Sequence, residues 1–396
     1  MRVLMMVTPV PSHFQPLVPL AWALRAAGHD VLVVAQPDVL PLVESTGLSA
    51  LAVGDPFHVD DLLFETLPAD TRPLAVRPRL APHLLGHYGR LWATHARYLL
   101  PAYLPVAREL RPDLIVADPL EYSSLVIGAV LGVPVVHHRW GVDEISGPAR
   151  AAVRPVLAGV CERLGIAGLP DPTVLVDPCP PSLQLPGAEP AMPMRYVPYN
   201  GRRVLPPWRQ EEVATRSTRS PGNRRVAVTM GGTLAVNGVP FVRRVLSAFA
   251  GMPQVSVLAT VEEKYRAELG GVPENVQLID NTPLDLFLGS CAAVVHQGGA
   301  GTTMTATAFG LPQLVLPQLA DHFGHGDRIA ATGAGIAFHT VDEQDDVGLL
   351  RESLAALLFE SAYREAATEL RAEMRRTPAP DTVVAELTAG HSGRTD

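Results

Sequence analysis

The stretch His296-Gln297-Gly298-Gly299-Ala300-Gly301-Thr302-Thr303 places an imidazole, glycines and two hydroxyls directly after the apolar run Ala292–Val295. Met304–Phe309 continues it, and Gly310 and Pro312 close it, so the pattern reads as strand, turn and short helix. A turn at a helix N-terminus offers unpaired N–H groups and the positive end of the helix dipole, which together suit a phosphate. Glycines let the backbone approach closely, and the Thr302 and Thr303 hydroxyls can cap the helix or bond an anionic oxygen. Thr229-Met230-Gly231-Gly232-Thr233 follows another strand and is either a tight turn or a second diphosphate cradle facing the first. Asp321-His322 follows Leu314–Leu319; the pair suits sugar hydroxyls, and helix capping explains Asp321 equally well.

Proton chemistry has its own candidates in the first half of the chain. His13 lies in the loop after the first strand and reads as an ordinary loop histidine or as a general base. Asp118 ends the strand Leu114–Ala117, a position equivalent to that of His13 in the same sheet. It reads as a turn carboxylate, common before proline, or as the partner that orients an imidazole and stabilises its cation. One histidine and one aspartate on two strand-end loops point to a dyad. His325 reads as a surface residue, and the acidic residues Asp342, Glu343, Asp345 and Asp346 as a solvated face without metal spacing.

These residues need elements to hold them. Val3–Val7 reads as a strand, Thr8–Gln15 as a loop, Pro16–Ala27 as a helix stopped by Gly28, and Val31–Ala35 as the next strand. Strand, helix and strand at that spacing make a right-handed crossover in a parallel sheet. The pattern resumes at Leu114–Ala117, a helix over Ser123–Leu131 and a strand over Val133–His137. Between these, Asp55–Leu110 is broken by proline and reads as mobile helices and loops. Proline is densest over Asp171–Pro207, and Arg209–Arg225 after it is polar with Ser, Thr, Pro and Gly, where a linker belongs. A second sheet follows, with strands at Arg225–Met230, Val255–Thr260, Val276–Ile279, Ala292–His296 and Gln313–Pro317, then helices at Val347–Phe359 and Ala362–Arg376. The expectation is α/β: a first domain over 1–207, a linker over 208–224, a second domain over 225–376, and a tail over 377–396 free to pack back on the first domain. Two such domains leave a cleft between the carboxyl ends of their sheets, where ligands sit.

Composition narrows the function classes. With 396 residues, 47% hydrophobic and 18% charged, the chain can build two cores. A net charge of −8 argues against a nucleic-acid surface. Cys161, Cys179 and Cys291 lie far apart without metal or redox spacing, which points to a reducing cytoplasm. No apolar run is long enough for a membrane span, and the N-terminus lacks the signature of a signal peptide. The loop after Val3–Val7 has no G-x-G-x-x-G, against a nicotinamide oxidoreductase.

The segment HQGGAGTTMTATAFGLPQLVLPQLADHF, beginning at His296, resembles the nucleotide-sugar signature of the family 1 glycosyltransferases of GT-B fold. MRVLMMVTPVPSHFQPLVPLAWALRAAGHDVLVV at the start and PDLIVADPLEYSSLVIGAVLGVPVVHHRWG in the middle are similar to the same family, within it most of all to actinobacterial antibiotic glycosyltransferases. The resemblance implies two Rossmann-like domains with parallel sheets facing across a cleft, and inverting transfer of a deoxysugar from a nucleoside diphosphate (dTDP by family habit) to a hydroxyl of a hydrophobic polyketide aglycone. By the same resemblance His13 is the base and Asp118 its partner. His296, Gly298, Gly299, Ala300, Gly301 and Thr302 form the diphosphate turn, with Gly231, Gly232 and the Thr233 hydroxyl facing it. Asp321 and His322 meet the donor sugar, and Ile279 offers backbone bonds to the base. The acceptor belongs in the first domain, beside His138, Trp140 and Asp143, with Trp140 fitting ordinary core packing equally well. The family's aromatic residue after Asp280 is replaced by Asn281, its glutamine after Asp321 by His322, and the His13 loop lacks a neighbouring glycine. The nucleotide sugar is then a co-substrate and no metal or other cofactor is expected; a homodimer is compatible but has no specific support. Other readings are C-glycosylation of an aromatic ring with Asp118 or another carboxylate as base, a GT-B-like sugar epimerase, and a non-catalytic nucleotide-sugar-binding auxiliary protein.

Overall fold

The computed structural model describes residues 1–59, 61, 71–77, 79–201, 204–214, 223–231 and 238–389. Among them, thirteen strands form two parallel sheets. The first comprises β1 (Arg2–Met6), β2 (Asp30–Ala35), β3 (Ser49–Ala52), β4 (Leu114–Ala117), β5 (Val135–His138), β6 (Val174–Asp177) and β7 (Met192–Pro193), in the order β3-β2-β1-β4-β5-β6-β7. The second comprises β8 (Arg224–Thr229), β9 (Val255–Thr260), β10 (Val276–Ile279), β11 (Ala293–His296), β12 (Gln313–Val315) and β13 (Gly335–Ala337), in the order β10-β9-β8-β11-β12-β13. Central strands such as Val3–Met6 and Ala293–His296 are buried on both faces, hence their unbroken apolar runs.

Several expectations need correction. The supposed loop Thr8–Gln15 contains a helical turn, Pro11–Phe14, opened by a proline at its first position and anchored by the buried Phe14. The proline-broken segment before β4 is helical as expected, but in one continuous 23-residue helix, Tyr88–Leu110, running through Pro101 and Pro105. The two prolines lie one turn apart on the same exposed face, so the unpaired carbonyls of Arg97 and Pro101 meet water, while Trp92, Ala96, Leu99, Tyr103 and Ala107 pack inward. The proline-dense stretch before the linker still supplies β6 and β7 to the first sheet. The acidic cluster is not merely solvated. Glu343 forms a capping box with Thr340, Asp346 caps the helix Val347–Phe359, and Asp345 pairs with Arg72 at 2.9 Å.

The chain returns to its first domain at the end. In the helix Pro380–Thr388, Val383 and Val384 join the core around Phe14, Leu17, Leu20 and Leu24. Other contacts fix the two sheets relative to each other. Tyr196 Oη bonds Thr305 at 3.2 Å and the Gly301 carbonyl at 3.3 Å, and Arg328 donates to the carbonyls of Ser182 and Leu183. Gly141 is needed in this seam, because a Cβ there would stand 2.7 Å from the His325 ring and 3.2 Å from Met304. Among the described residues no helix is long and apolar enough to cross a membrane.

Candidate active site

Register brings the first group together. β1 and β4 are neighbours, with Met6 opposite Ala117, so Thr8 and Asp118 emerge side by side just beyond the strand ends. Asp118 is fully buried and accepts three hydrogen bonds: from Thr8 N at 2.7 Å, Thr8 Oγ1 at 3.0 Å and Leu120 N at 3.0 Å. His13 Nδ1 is 2.6 Å from Thr8 Oγ1 but 3.7 Å from Asp118 Oδ1. The two residues are therefore neighbours without a direct hydrogen bond, with a threonine hydroxyl between them. Sequence reasoning passed over Thr8, since a threonine at a strand end carries no signal of its own.

Burial sets the charges. Desolvation pushes His13 down to about 3, and it pushes Asp118 up to about 6 against the opposing effect of its three donors. At neutral pH the imidazole is thus uncharged and able to take a proton, while the carboxylate is ionised beneath it. Glu121, also fully buried and near Asp118, is pushed up to about 8 by desolvation and holds its proton.

Aromatic rings surround the dyad. Trp140 stacks on His13 with ring centroids 3.9 Å apart, and Trp92 stands at 6.0 Å. Phe57 and His95 extend the cluster from Trp92. The structure thus brings Trp140 to the site, but it places the other two acceptor candidates elsewhere. His138 ends β5 fully buried in the interior. Asp143 bonds Arg139 at 3.0 Å and accepts from Ser146 N at 2.9 Å, so its carboxylate holds the start of the helix Ser146–Arg163.

In the second domain, β11 leads into a helix over Ala300–Phe309 with Gly299 at its N-cap. The first helical bond runs from Thr303 N to the Gly299 carbonyl, which leaves the amides of Ala300, Gly301 and Thr302 ahead of it, and burial gives way to partial exposure at Gly299. The Thr303 hydroxyl is turned back onto the Gly299 carbonyl at 3.0 Å, so of the two hydroxyls Thr302 is the one placed at the opening. Gly298 sits at φ +94°, where a Cβ would meet the His322 carbonyl at 2.8 Å.

His296 departs from its expected role as a phosphate contact. Its Nδ1 accepts from Gly298 N at 3.0 Å and its Nε2 pairs with Gln313 Oε1 at 2.9 Å. Desolvation pushes it down to about 3, so it is uncharged. In this structure His296 holds the turn in shape from within. Gln297, which sequence reasoning also passed over, is buried between two glycine turns. Its Nε2 lies 2.6 Å from where a Cβ would stand on Gly231 and 2.9 Å from one on Gly299. Gly231 thus faces the main turn, while Gly232 and Thr233 lie outside the described residues.

The remaining candidates are partly corrected. Ile279 is buried at the end of the edge strand β10, its carbonyl accepting from Val261 N at 2.9 Å. Asp321 occupies the N-cap position of the helix His322–Ala331 without capping it, and its carboxylate stays partly exposed. The residue before it, Ala320, takes a left-handed φ of +46° and packs against the first domain's core. His322 is buried with Nε2 toward Gly299, and His325 is buried rather than on the surface.

Known proteins resemble this chain along nearly its whole length. Models of the N- and C-terminal domains described as erythromycin biosynthesis protein CIII-like match residues 22–231 and 243–389. The L-demethylnoviosyl transferase of Streptomyces niveus is 35% identical, with 98% of each chain covered. The elloramycin glycosyltransferase of Streptomyces olivaceus is 38% identical over 98% of this chain and 97% of its own. Among solved structures, spinosyn rhamnosyltransferase SpnG superposes with a TM-score of 0.86 at 35% identity, covering 98% of this chain and 100% of its own. SpnG has also been solved with thymidine diphosphate and with the spinosyn aglycone. Family models covering residues 22–231 and 243–389, with two parallel sheets matched along nearly their whole length, make this chain a member of the erythromycin biosynthesis protein CIII-like family, a family 1 glycosyltransferase of GT-B fold.

Proposed function

We propose that this enzyme transfers a sugar, with inversion, from a thymidine diphosphate donor to a hydroxyl of a hydrophobic polyketide aglycone, with His13 as the base. The observation that carries this reading is the state of the dyad: an uncharged, 17% exposed imidazole stacked on Trp140, with an ionised, fully buried carboxylate 3.7 Å behind it. The acceptor O–H gives its proton to His13, and its oxygen bonds the anomeric carbon. The bond from that carbon to the diphosphate breaks on the opposite face, with the electron pair leaving on the diphosphate. Asp118 balances the imidazolium, and such a base supplies roughly 10²–10⁴-fold.

The growing charge on the diphosphate is met by the amides of Ala300, Gly301 and Thr302 and by the Thr302 hydroxyl. Gly231 faces it, while Asp321 and His322 meet the sugar. His296 acts on the donor through the turn it shapes. Asp118 is unsuited to serve as the base for C-glycosylation, since both its oxygens are occupied and none of it is exposed. The thymidine complex of SpnG supports the choice of nucleotide.

The test is a binding screen of nucleoside diphosphate sugars, followed by mass spectrometry of reactions with a panel of polyketide aglycones. A glycosylated product of inverted anomeric configuration is expected, and His13→Ala should abolish it while donor binding persists. Retention of configuration, or an undiminished His13→Ala enzyme, would refute the mechanism.

A further inference from the structure

We propose that Thr8 is a positioning residue for sugar transfer: its hydroxyl links Asp118 to His13 and determines which imidazole nitrogen is left to face the acceptor. The inference rests on His13 being the base. Thr8 is fully buried, and its backbone N–H and its hydroxyl converge on the same Asp118 oxygen, Oδ2, at 2.7 and 3.0 Å. A hydroxyl has one hydrogen to give. With that hydrogen committed to the carboxylate, Thr8 Oγ1 presents only lone pairs to His13 Nδ1, 2.6 Å away. Nδ1 must then carry the ring's proton, and Nε2 keeps the lone pair that can accept one.

The carboxylate cannot do this alone. Its Oδ1 receives Leu120 N at 3.0 Å and stands 3.7 Å from Nδ1, beyond a hydrogen bond. Its charge still acts at that distance, whereas tautomer and ring orientation are set by direct contact. During transfer the acceptor's proton goes to Nε2 and Nδ1 keeps its own, so the product is an imidazolium that still donates to Thr8. Thr8 retains its hydrogen throughout and passes no proton. Stacking on Trp140 holds the plane of the ring, and the Thr8 bond fixes its rotation within that plane. The other titratable groups coupled to Asp118 are Glu121, Tyr103 and Tyr122, all raised and therefore uncharged at neutral pH.

The test uses the full chain labelled with nitrogen-15 in its histidines, in wild type, Thr8→Val and Thr8→Ser, with the His13 signals assigned by their loss in His13→Gln. Wild type at neutral pH should show Nδ1 protonated and Nε2 bare. Thr8→Val should mix the two tautomers, and Thr8→Ser should restore the wild-type pattern. With thymidine diphosphate glucose and alizarin as probes, Thr8→Val should lower kcat by roughly 10–100-fold at unchanged donor KM, with Thr8→Ser restoring most of it. The acidic limb of the rate profile should move to higher pH in Thr8→Val, because the lost hydroxyl had stabilised the Asp118 carboxylate. A wild-type His13 carrying its proton on Nε2 would overturn the proposal without recourse to any variant, as would an unaltered tautomer in folded Thr8→Val. An altered tautomer in Thr8→Val beside a fully active His13→Ala enzyme would instead refute the base and leave the hydrogen-bond assignment standing.

Discussion

Replacing Asp118 with Asn tests the electrostatic half of the mechanism. In the proposed mechanism an imidazolium forms at His13, whose Nδ1 lies 3.7 Å from Asp118 Oδ1. At an effective dielectric of about 20, a pair of unit charges at that separation is worth about 4 kcal/mol. That attraction exists only after proton transfer, so its loss should appear in kcat, by roughly 10³-fold. Geometry adds a smaller effect. Asn has one accepting atom where Asp118 uses two, so either orientation sets an amide N–H against Leu120 N or against the donors of Thr8. That mismatch costs about 1–3 kcal/mol of stability, partly offset by removing a buried charge. The pH profile separates the two effects. Asp118 is pushed up to about 6 and His13 down to about 3, so wild-type activity should fall as pH drops through about 6, when the carboxylate gains a proton. The Asn enzyme should show no such limb. Kinetics with thymidine diphosphate glucose and alizarin, and calorimetry with thymidine diphosphate alone, supply the readings, with a melting curve to confirm folding. A kcat within about tenfold of wild type, or a persistent limb near 6, would show that Asp118 does not carry the counter-charge.

Two further substitutions probe the scaffold. Glu121 is pushed up to about 8 from an unfolded value of 4.5, so the folded chain holds a proton that the unfolded chain releases between those limits, and stability falls as pH rises through that window. Glu121→Gln should therefore raise the melting temperature at pH ~8, by the equivalent of a few kcal/mol, and by much less at pH ~4; equal shifts at both would refute the linkage. Gly298→Ala puts a Cβ 2.8 Å from the His322 carbonyl at φ +94° and should weaken thymidine diphosphate binding at least about tenfold by calorimetry. Unchanged affinity would mean that the turn does not hold the diphosphate.

How far the sequence could be read depends on where each structural cause lies. β9, β10 and the helix Val347–Phe359 were legible to the residue, because apolar periodicity and end signals coincide there. The helix Tyr88–Leu110 was not, since Pro101 and Pro105 break the local pattern and only tertiary packing shows that both face water. His13 and Asp118 were legible by their place after strands, whereas the threonine between them was not, because its role is defined by a register 110 residues apart in sequence. His296 was legible as a functional type but not in its orientation, which depends on Gln313 across the β11–β12 pair. Asp143 could not be separated from an acceptor contact until Arg139 was seen to claim it.

The two half-sites follow from one topological fact applied twice. In the first sheet the order reverses direction between β1 and β4, and in the second between β8 and β11. At such a reversal the crossover helices leave on opposite sides, so a crevice opens beyond the two central strand ends. Thr8, His13 and Asp118 occupy the first crevice because β1 pairs directly with β4. Gly231, Gln297 and Gly299 occupy the second because β8 pairs directly with β11, with Thr229 opposite His296. The proposed base and leaving-group site, on separate sheets, must still be held at a defined separation, which neither crevice can impose alone. Tyr196 bonded to the helix Ala300–Phe309, Gly141 pressed against His325, and the helix Pro380–Thr388 buried in the first core supply that constraint. Catalytic geometry here is therefore a property of the seam as much as of either domain.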